Sequence, residues 1–314
     1  MFDILETVLP VFLIVGAGYV AVRTGLFEGA FADGLMRFTQ TFAIPCLLFL
    51  SIARLDLVTV FQPAILLTFY IGSALMFATM TLIARLVFQH RPGQAVAVGF
   101  CALFANSVLL GIPLVGRAFG EAALAPVVAI VAVHAPFCYT LGITTMEFAR
   151  ADGRPVPETL SIVLKSIFSN GLMIGILLGF AANLTGFMAP GPIIATLEML
   201  AAAAIPAALF GLGGILVRYG VSQNPGEIAV IGGLRLVVHP LVVLFLATQI
   251  FDLPPLATKA LVLAAAMPPG VNVLVFATMY DRAKGVAAAS ILASTVAAVF
   301  SATAWLAILQ VGGL

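Results

Sequence analysis

The chain is dominated by long apolar runs, each about 20 residues or more, separated by short stretches that carry charge, Gly and Pro. A helix of about 20 apolar residues crosses the hydrocarbon core of a bilayer. Only 9% of the residues are charged and 62% are apolar, too little charge for a soluble surface. The pattern predicts an all-α membrane protein in a lipid bilayer with ten transmembrane helices, at residues 4–24, 34–53, 63–88, 94–116, 122–147, 160–183, 191–217, 227–250, 257–280 and 285–310.

The chain also divides into two similar halves around one polar stretch at residues 150–159, with five predicted spans on each side. Two short words recur at an offset of 161 residues: Ala43-Ile44-Pro45 as Ala204-Ile205-Pro206, and Thr24-Gly25 as Thr185-Gly186. An odd number of spans per half inverts the second copy relative to the first. We therefore expect two inverted five-helix repeats, at 1–149 and 160–314, joined by a cytoplasmic linker at 150–159.

Basic residues predict the orientation of these spans. Ten Lys and Arg residues follow spans 1, 3, 5, 7 and 9, whereas the opposite side carries only Arg54, Arg117 and Lys259. Lys and Arg accumulate in cytoplasmic loops. The bias predicts a multi-pass protein of a bacterial cytoplasmic (inner) membrane with both termini in the periplasm.

Span 4 contains a candidate helix break. Pro113 lacks an N–H and its ring clashes with the carbonyl of Leu109, so the helix is expected to kink or open there, next to Gly111. Asn106 lies within about two turns and can donate hydrogen bonds. Taken alone, the motif fits either a simple kink or a binding site.

Span 9 contains a stronger break at the matching position of the second half. Pro268, Pro269 and Gly270 follow one another in the middle of the span, and Asn272 comes next. Paired breaks at corresponding positions are typical of transport sites. Each broken helix offers unpaired N–H groups with a partial positive charge of roughly +0.5 at a helix start. We expect the two breaks to cross and form an anion site.

A few other residues within spans are candidates for the cavity. His134 is either a packing residue or a ligand for a carboxylate or a coupling proton, while Tyr139 is expected to pack. Arg235 either snorkels to the cytoplasmic surface or attracts anions to the inner mouth. Pro45 and Pro206 are expected mainly to shape helix packing and to line the cavity.

Several functions are disfavoured by what the sequence lacks. No acidic pair occupies the middle of a span, as cation exchange would require, and no CxxC or HExxH spacing suggests a metal site. A net charge of +1 without a Lys/Arg run gives no nucleic-acid surface. No cofactor is predicted, and no nucleophile–base pair suggests a catalytic site.

The words NSVLLGIPL at 106–114 and MPPGVNVLVFATMYD at 267–281 resemble the auxin efflux carrier family, which includes plant auxin carriers and bacterial malonate- or malate-type carriers. The resemblance covers essentially the whole chain. It implies ten helices in two inverted repeats, a scaffold and a mobile transport domain, and an anion bound where the breaks of spans 4 and 9 cross. The matching site residues are Asn106, Pro113, Pro268, Pro269 and Asn272.

Two positions depart from the family pattern. His134 stands where plant relatives tend to carry a glutamine that faces the substrate, and Asn170-Gly171 stands where Asn-Pro is expected. The first departure leaves the identity of the substrate open.

These observations predict a secondary transporter of organic anions, small mono- or dicarboxylates, working by alternating access, and the family resemblance implies that the movement is of the elevator type. A bile-acid-type sodium symporter, a passive channel and an intramembrane enzyme are the alternatives. The direction of flux, the coupling ion and the choice between monomer and homodimer stay open.

Overall fold

The structure is a computed structural model that describes residues 2–55, 62–150, 171–187, 189–218 and 224–311. The predicted linker, apart from Arg150, lies outside the described residues, and so does Asn170.

Helices form nearly all of the described chain. In the first half they are α1 (Phe2–Arg23), α2 (Gly29–Phe38), α3 (Ile44–Ala53), α4 (Pro63–Leu86), α5 (Pro92–Leu103), α6 (Ile112–Phe119) and α7 (Leu124–Arg150). In the second half they are α8 (Gly171–Thr185), α9 (Gly191–Leu216), α10 (Pro225–Gly233), α11 (His239–Phe245), α12 (Pro255–Ala265), α13 (Asn272–Met279) and α14 (Lys284–Val311). Four of them begin with proline, because the N–H that proline lacks would have no partner within the helix at that position.

The all-helical class predicted from the sequence is confirmed for the described residues. Six helical segments are long and apolar enough to cross a membrane: Gly29–Ala53, Pro63–Leu86, Glu121–Ala149, Gly191–Leu216, Pro225–Ile250 and Lys284–Gln310. Shorter apolar helices occupy Val8–Arg23, Pro92–Leu103, Ser107–Phe119, Met173–Thr185 and Pro255–Ala265. The ten-span inverted repeat goes beyond these six segments and stays a prediction.

Wide π-helical turns allow prolines to lie within otherwise helical segments. Three of these turns each end directly before an Xaa-Pro pair: Thr39–Ala43, Ser107–Gly111 and Leu234–Val238. A proline cannot pair with the carbonyl four residues earlier, and the π-turn gives its ring room. In the third turn the carbonyl of Leu236, four residues before Pro240, accepts a hydrogen bond from Trp305 Nε1 at 2.8 Å.

The chain forms two compact units that are each discontinuous in sequence. The large unit is Met1–Leu9, Gln62–Val163 and Tyr219–Leu314, and the small unit is Pro10–Phe61 and Leu164–Arg218. The small unit thus contains most of the first two predicted spans of each half, and the large unit contains the remaining three spans of each half.

Within the small unit, glycines let helices approach closely. A Cβ on Gly175 of α8 would clash with the Pro45 backbone of α3, and one on Gly213 of α9 would clash with the Val15 carbonyl of α1. Pro45 is therefore a packing residue of this unit, as the sequence suggested, whereas Pro206 lies inside the continuous helix α9.

The recurring Thr-Gly word forms the same structure in both halves. Thr24 and Thr185 each donate a side-chain hydrogen bond to the carbonyl four residues earlier, at 2.8 and 2.6 Å. Gly25 and Gly186 follow with φ of 79° and 68°, a left-handed conformation that glycine adopts without strain. This shared helix ending supports the internal repeat.

Candidate functional site

The two predicted helix breaks meet in the large unit. Residues 104–106 interrupt the helical path after α5, and residues 266–271 interrupt it between α12 and α13. Ala105 and Pro269 form an isolated antiparallel β-bridge. The Asn106 N–H donates to the Pro268 carbonyl at 2.9 Å, and the Gly270 N–H donates to the Phe104 carbonyl at 2.9 Å. We call this arrangement, residues 104–106 against 266–271, the crossing.

The α12–α13 break follows directly from its sequence. Pro268 and Pro269 have no N–H, so the carbonyls of Ala264 and Ala265 lose their usual helical partners. Gly270 then lets the two backbones approach, because a Cβ there would lie 3.2 Å from Phe104 Cδ1 and 3.3 Å from the Ala105 carbonyl oxygen.

The break after α5 lies earlier in the sequence than Pro113, where we predicted it. Pro113 is the second residue of α6 and is buried, and the π-turn 107–111 relieves its clash with Leu109. The non-helical residues are Phe104, Ala105 and Asn106 instead. Gly111 ends the π-turn, where a Cβ would lie 3.5 Å from Met267 Cγ, so it faces the other break.

His134 holds the α5 break open from α7. Its Nε2 accepts a hydrogen bond from the Ala105 N–H at 3.1 Å, and the ring is only 3% exposed. Because an amide can only donate, Nε2 carries no proton and the imidazole is neutral. Phe104 packs edge-on against the ring, and Tyr70 stacks on it. His134 thus gives the Ala105 N–H a hydrogen-bond acceptor in place of the backbone carbonyl that it would have in a continuous helix.

Unused hydrogen-bond donors lie at the same place. Asn106 Nδ2 and Ser107 Oγ are buried and have no hydrogen-bond partner among the described residues. On the other break, Asn272 begins α13, and its Oδ1 accepts from the Tyr139 hydroxyl at 3.4 Å. Buried polar groups in proteins are nearly always paired, so the two unpaired donors at the start of the π-turn 107–111 are free to bond a ligand or water.

Arg235 lies at the crossing and not at a membrane surface. Its side chain is fully buried, and its guanidinium donates to the carbonyls of Ala102, Ala265 and Met267 at 3.3, 3.3 and 3.0 Å. The expectation that Arg235 snorkels to the cytoplasmic side is therefore wrong. Arg235 Nη1 also lies 2.9 Å from Nδ1 of His239, four residues on.

Several residues that surround the crossing were not named as site candidates from the sequence. Phe100 of α5 stacks on Phe276 of α13, with ring centroids 3.9 Å apart and planes 8° apart, and this contact joins the two broken spans. Tyr70 of α4 donates to the Ile130 carbonyl at 2.6 Å. Of these residues, Ser107 lies in the NSVLLGIPL motif and Phe276 in the MPPGVNVLVFATMYD motif, whereas Phe100 and Tyr70 had no signal in the sequence. Pro45 and Pro206 belong to the small unit.

Comparison with known proteins identifies the kind of protein. Residues 3–306 match the Mem_trans family, described as membrane transport protein. The chain is 28% identical over 318 residues to a Rhizobium meliloti protein named "Putative malonate transporter", an alignment that covers 100% of this chain and 98% of the relative. It is 26% identical to a Methanothermobacter thermautotrophicus protein named as an uncharacterized transporter, over 97% and 98% of the two chains. The chain therefore belongs to the Mem_trans family, the auxin efflux carrier family that its motifs resemble, and it is a membrane transporter and not an enzyme.

Proposed function

We propose that this transporter carries small organic anions, mono- or dicarboxylates, and binds them at the crossing. The observation that supports this most strongly is the pair of buried, unpartnered donors, Asn106 Nδ2 and Ser107 Oγ, beside the break. A carboxylate has only acceptors when ionised and so fits two unused donors. A cation substrate would require acceptors, and the Asn106 Nδ2 group can only donate.

The electrostatics of the crossing support the same substrate class. α13 begins at Asn272, so the positive end of its helix dipole lies at the break, where the N–H groups of Val273 and Leu274 donate to the carbonyls of Gly270 and Val271. Arg235 adds a buried positive charge, and no Asp or Glu of the described residues forms an ion pair with it. An anion is thus favoured without any free cationic side chain contacting it.

The name of the Rhizobium relative suggests the first substrate to test. That protein is named for malonate, a small dicarboxylate, and it aligns with this chain from end to end. We infer that a dicarboxylate of similar size is the natural class here.

For the movement, we propose elevator-type alternating access across a bacterial inner membrane. Both breaks lie in the large unit, and each unit contains spans from corresponding positions of both halves, which supports this proposal. The large unit would carry the substrate, and the small unit would be the scaffold. The Lys/Arg bias puts both termini in the periplasm.

Uptake of radiolabelled malonate into proteoliposomes tests this function. Asn106→Ala removes an amide of the crossing and Asn272→Ala removes the amide that follows it at the start of α13, and we expect uptake to fall at least about tenfold in each, which corresponds to about 1.4 kcal/mol. Ser107→Ala is expected to act in the same direction.

Gln249→Ala is the matched control, because Gln249 is exposed and bonds only to its neighbour Thr248. Its uptake should equal that of the wild type, and all variants should retain the wild-type elution profile in detergent. Normal uptake of malonate and other small carboxylates by both asparagine variants would contradict the proposed site.

A further inference from the structure

The carbonyl groups that meet at the crossing form an acceptor cluster. Ala102 is one residue from the end of α5, Ala265 ends α12, and Met267 lies in the break itself. The last carbonyls of a helix have no partner in the helix and carry its partial negative charge. Ala265 loses its partner for a further reason, since Pro269 four residues on has no N–H.

Such a cluster is a typical cation site in a carrier. Helix C-terminal ends and unwound carbonyls at broken spans bind the coupling Na⁺ in transporters of this architecture, because hard cations prefer oxygen ligands. Here the oxygens of Ala102, Ala265 and Met267 all accept from one guanidinium, that of Arg235.

The Arg235 side chain is held firmly in this position. Its Nη1 lies 2.9 Å from His239 Nδ1, which also lies 3.1 Å from the Ala265 carbonyl oxygen, and His239 Nε2 lies 3.2 Å from Ser73 Oγ. Phe69 packs edge-on against the His239 ring, with centroids 5.2 Å apart. All of these residues lie in the large unit and are fully buried, so the guanidinium group is held in place and is shielded from solvent.

We propose that Arg235 is a tethered cation that takes the place of a coupling cation at the crossing. Its charge neutralises the C-terminal ends of α5 and α12 and holds the two breaks together permanently. Transport therefore needs no sodium. The claim that transport needs no sodium rests on the proposed function, whereas the claim that Arg235 neutralises the two helix ends does not depend on it.

Charge at position 235 can be varied with little change of size. Arg235→Lys keeps the positive charge, and Arg235→Gln removes it while retaining a donor. We expect the Gln variant of the full chain to have a clearly lower thermal unfolding midpoint in detergent than the Lys variant. We further expect NaCl, compared with choline chloride at equal ionic strength, to raise the midpoint of the Gln variant and to leave the wild type unchanged.

Arg218→Gln is the matched control. Arg218 is an exposed arginine of the small unit that pairs with Asp33 at 2.6 Å, and its loss should change neither the sodium response nor the midpoint appreciably. Equal midpoints for the Lys and Gln variants would overturn the structural role of the charge. If the Gln variant does not fold while the Lys variant does, the role is supported.

Uptake measurements separate this inference from the proposed function. Wild-type malonate uptake in sodium and in choline should be equal, and uptake by Arg235→Gln should fall at least about tenfold. Uptake by the wild type only in sodium would overturn the tethered cation and leave the anion-carrier function standing. If the wild type moves no small carboxylate at all, the proposed function fails, and the unfolding midpoints still decide the role of Arg235.

Discussion

The break between α12 and α13 contains Pro268, Pro269 and Gly270, whereas the break after α5 contains Phe104, Ala105 and Asn106. The first sequence cannot continue a helix in any surroundings, because two successive residues lack an N–H. The second has no such obstacle. Its backbone groups bond instead to distant partners, to Pro268, Gly270 and His134. One break is a local property of the sequence, and the other is stabilised by tertiary contacts.

The largest effect is expected where the two breaks touch. Gly270→Val would place a side chain against Phe104 and the Ala105 carbonyl, so the backbones must separate. We expect a loss of stability of up to about 3 kcal/mol and loss of malonate uptake, measured by thermal unfolding in detergent and in proteoliposomes. Gly285→Val is the control, because a Cβ at Gly285 meets nothing within 4 Å. Equal behaviour of the two variants would show that the close approach is not required.

A smaller effect is expected from the contact that supports only the α5 break. His134→Ala leaves the buried Ala105 N–H without a partner, at a cost of roughly 2 kcal/mol. His134→Gln can supply an amide oxygen and should recover part of that stability. Hydrogen exchange should become faster at residues 104–106 in the Ala variant, with less change at 270–272. If exchange became equally fast at both breaks, the hydrogen bond from His134 would not be specific to the α5 break, and the proposed difference between the two breaks would be wrong.

The smallest effect is expected at the proline that first suggested the α5 break. Pro113→Ala changes a residue already accommodated by the π-turn 107–111, so we expect stability to change by less than about 1 kcal/mol in either direction. Thermal unfolding measures this. A loss as large as that of His134→Ala would show that Pro113 itself keeps the span interrupted.

Much of the fold was accessible from the sequence because its signals are local. The apolar runs correspond to helices, and the Met267-Pro268-Pro269-Gly270 word marks the α12–α13 break correctly. Pro113 led to the right span, although the interruption begins at Phe104. The pairing of the two breaks also followed from their matching positions in the halves.

The roles of Arg235 and His134 were not accessible in this way. Arg235 lies 133 residues from Ala102 and 30 from Ala265, and His134 lies 29 residues from Ala105. Nothing in the spacing of single polar residues within apolar spans shows which distant backbone groups lack partners. For Arg235 the sequence left snorkelling open, and only the buried contacts of the side chain exclude it.

The sequence by itself determined that the chain is helical and lies in a membrane, since runs of this length and polarity have no other stable state in lipid. It also determined the interruption at Pro268 and Pro269, because two successive prolines remove two helical hydrogen bonds and a glycine follows them. Only the tertiary structure decided where the partner span opens and which charge neutralises the helix ends. Those outcomes depend on which unpaired carbonyls and amides come within hydrogen-bond distance, and that depends on the packing of helices far apart in the chain.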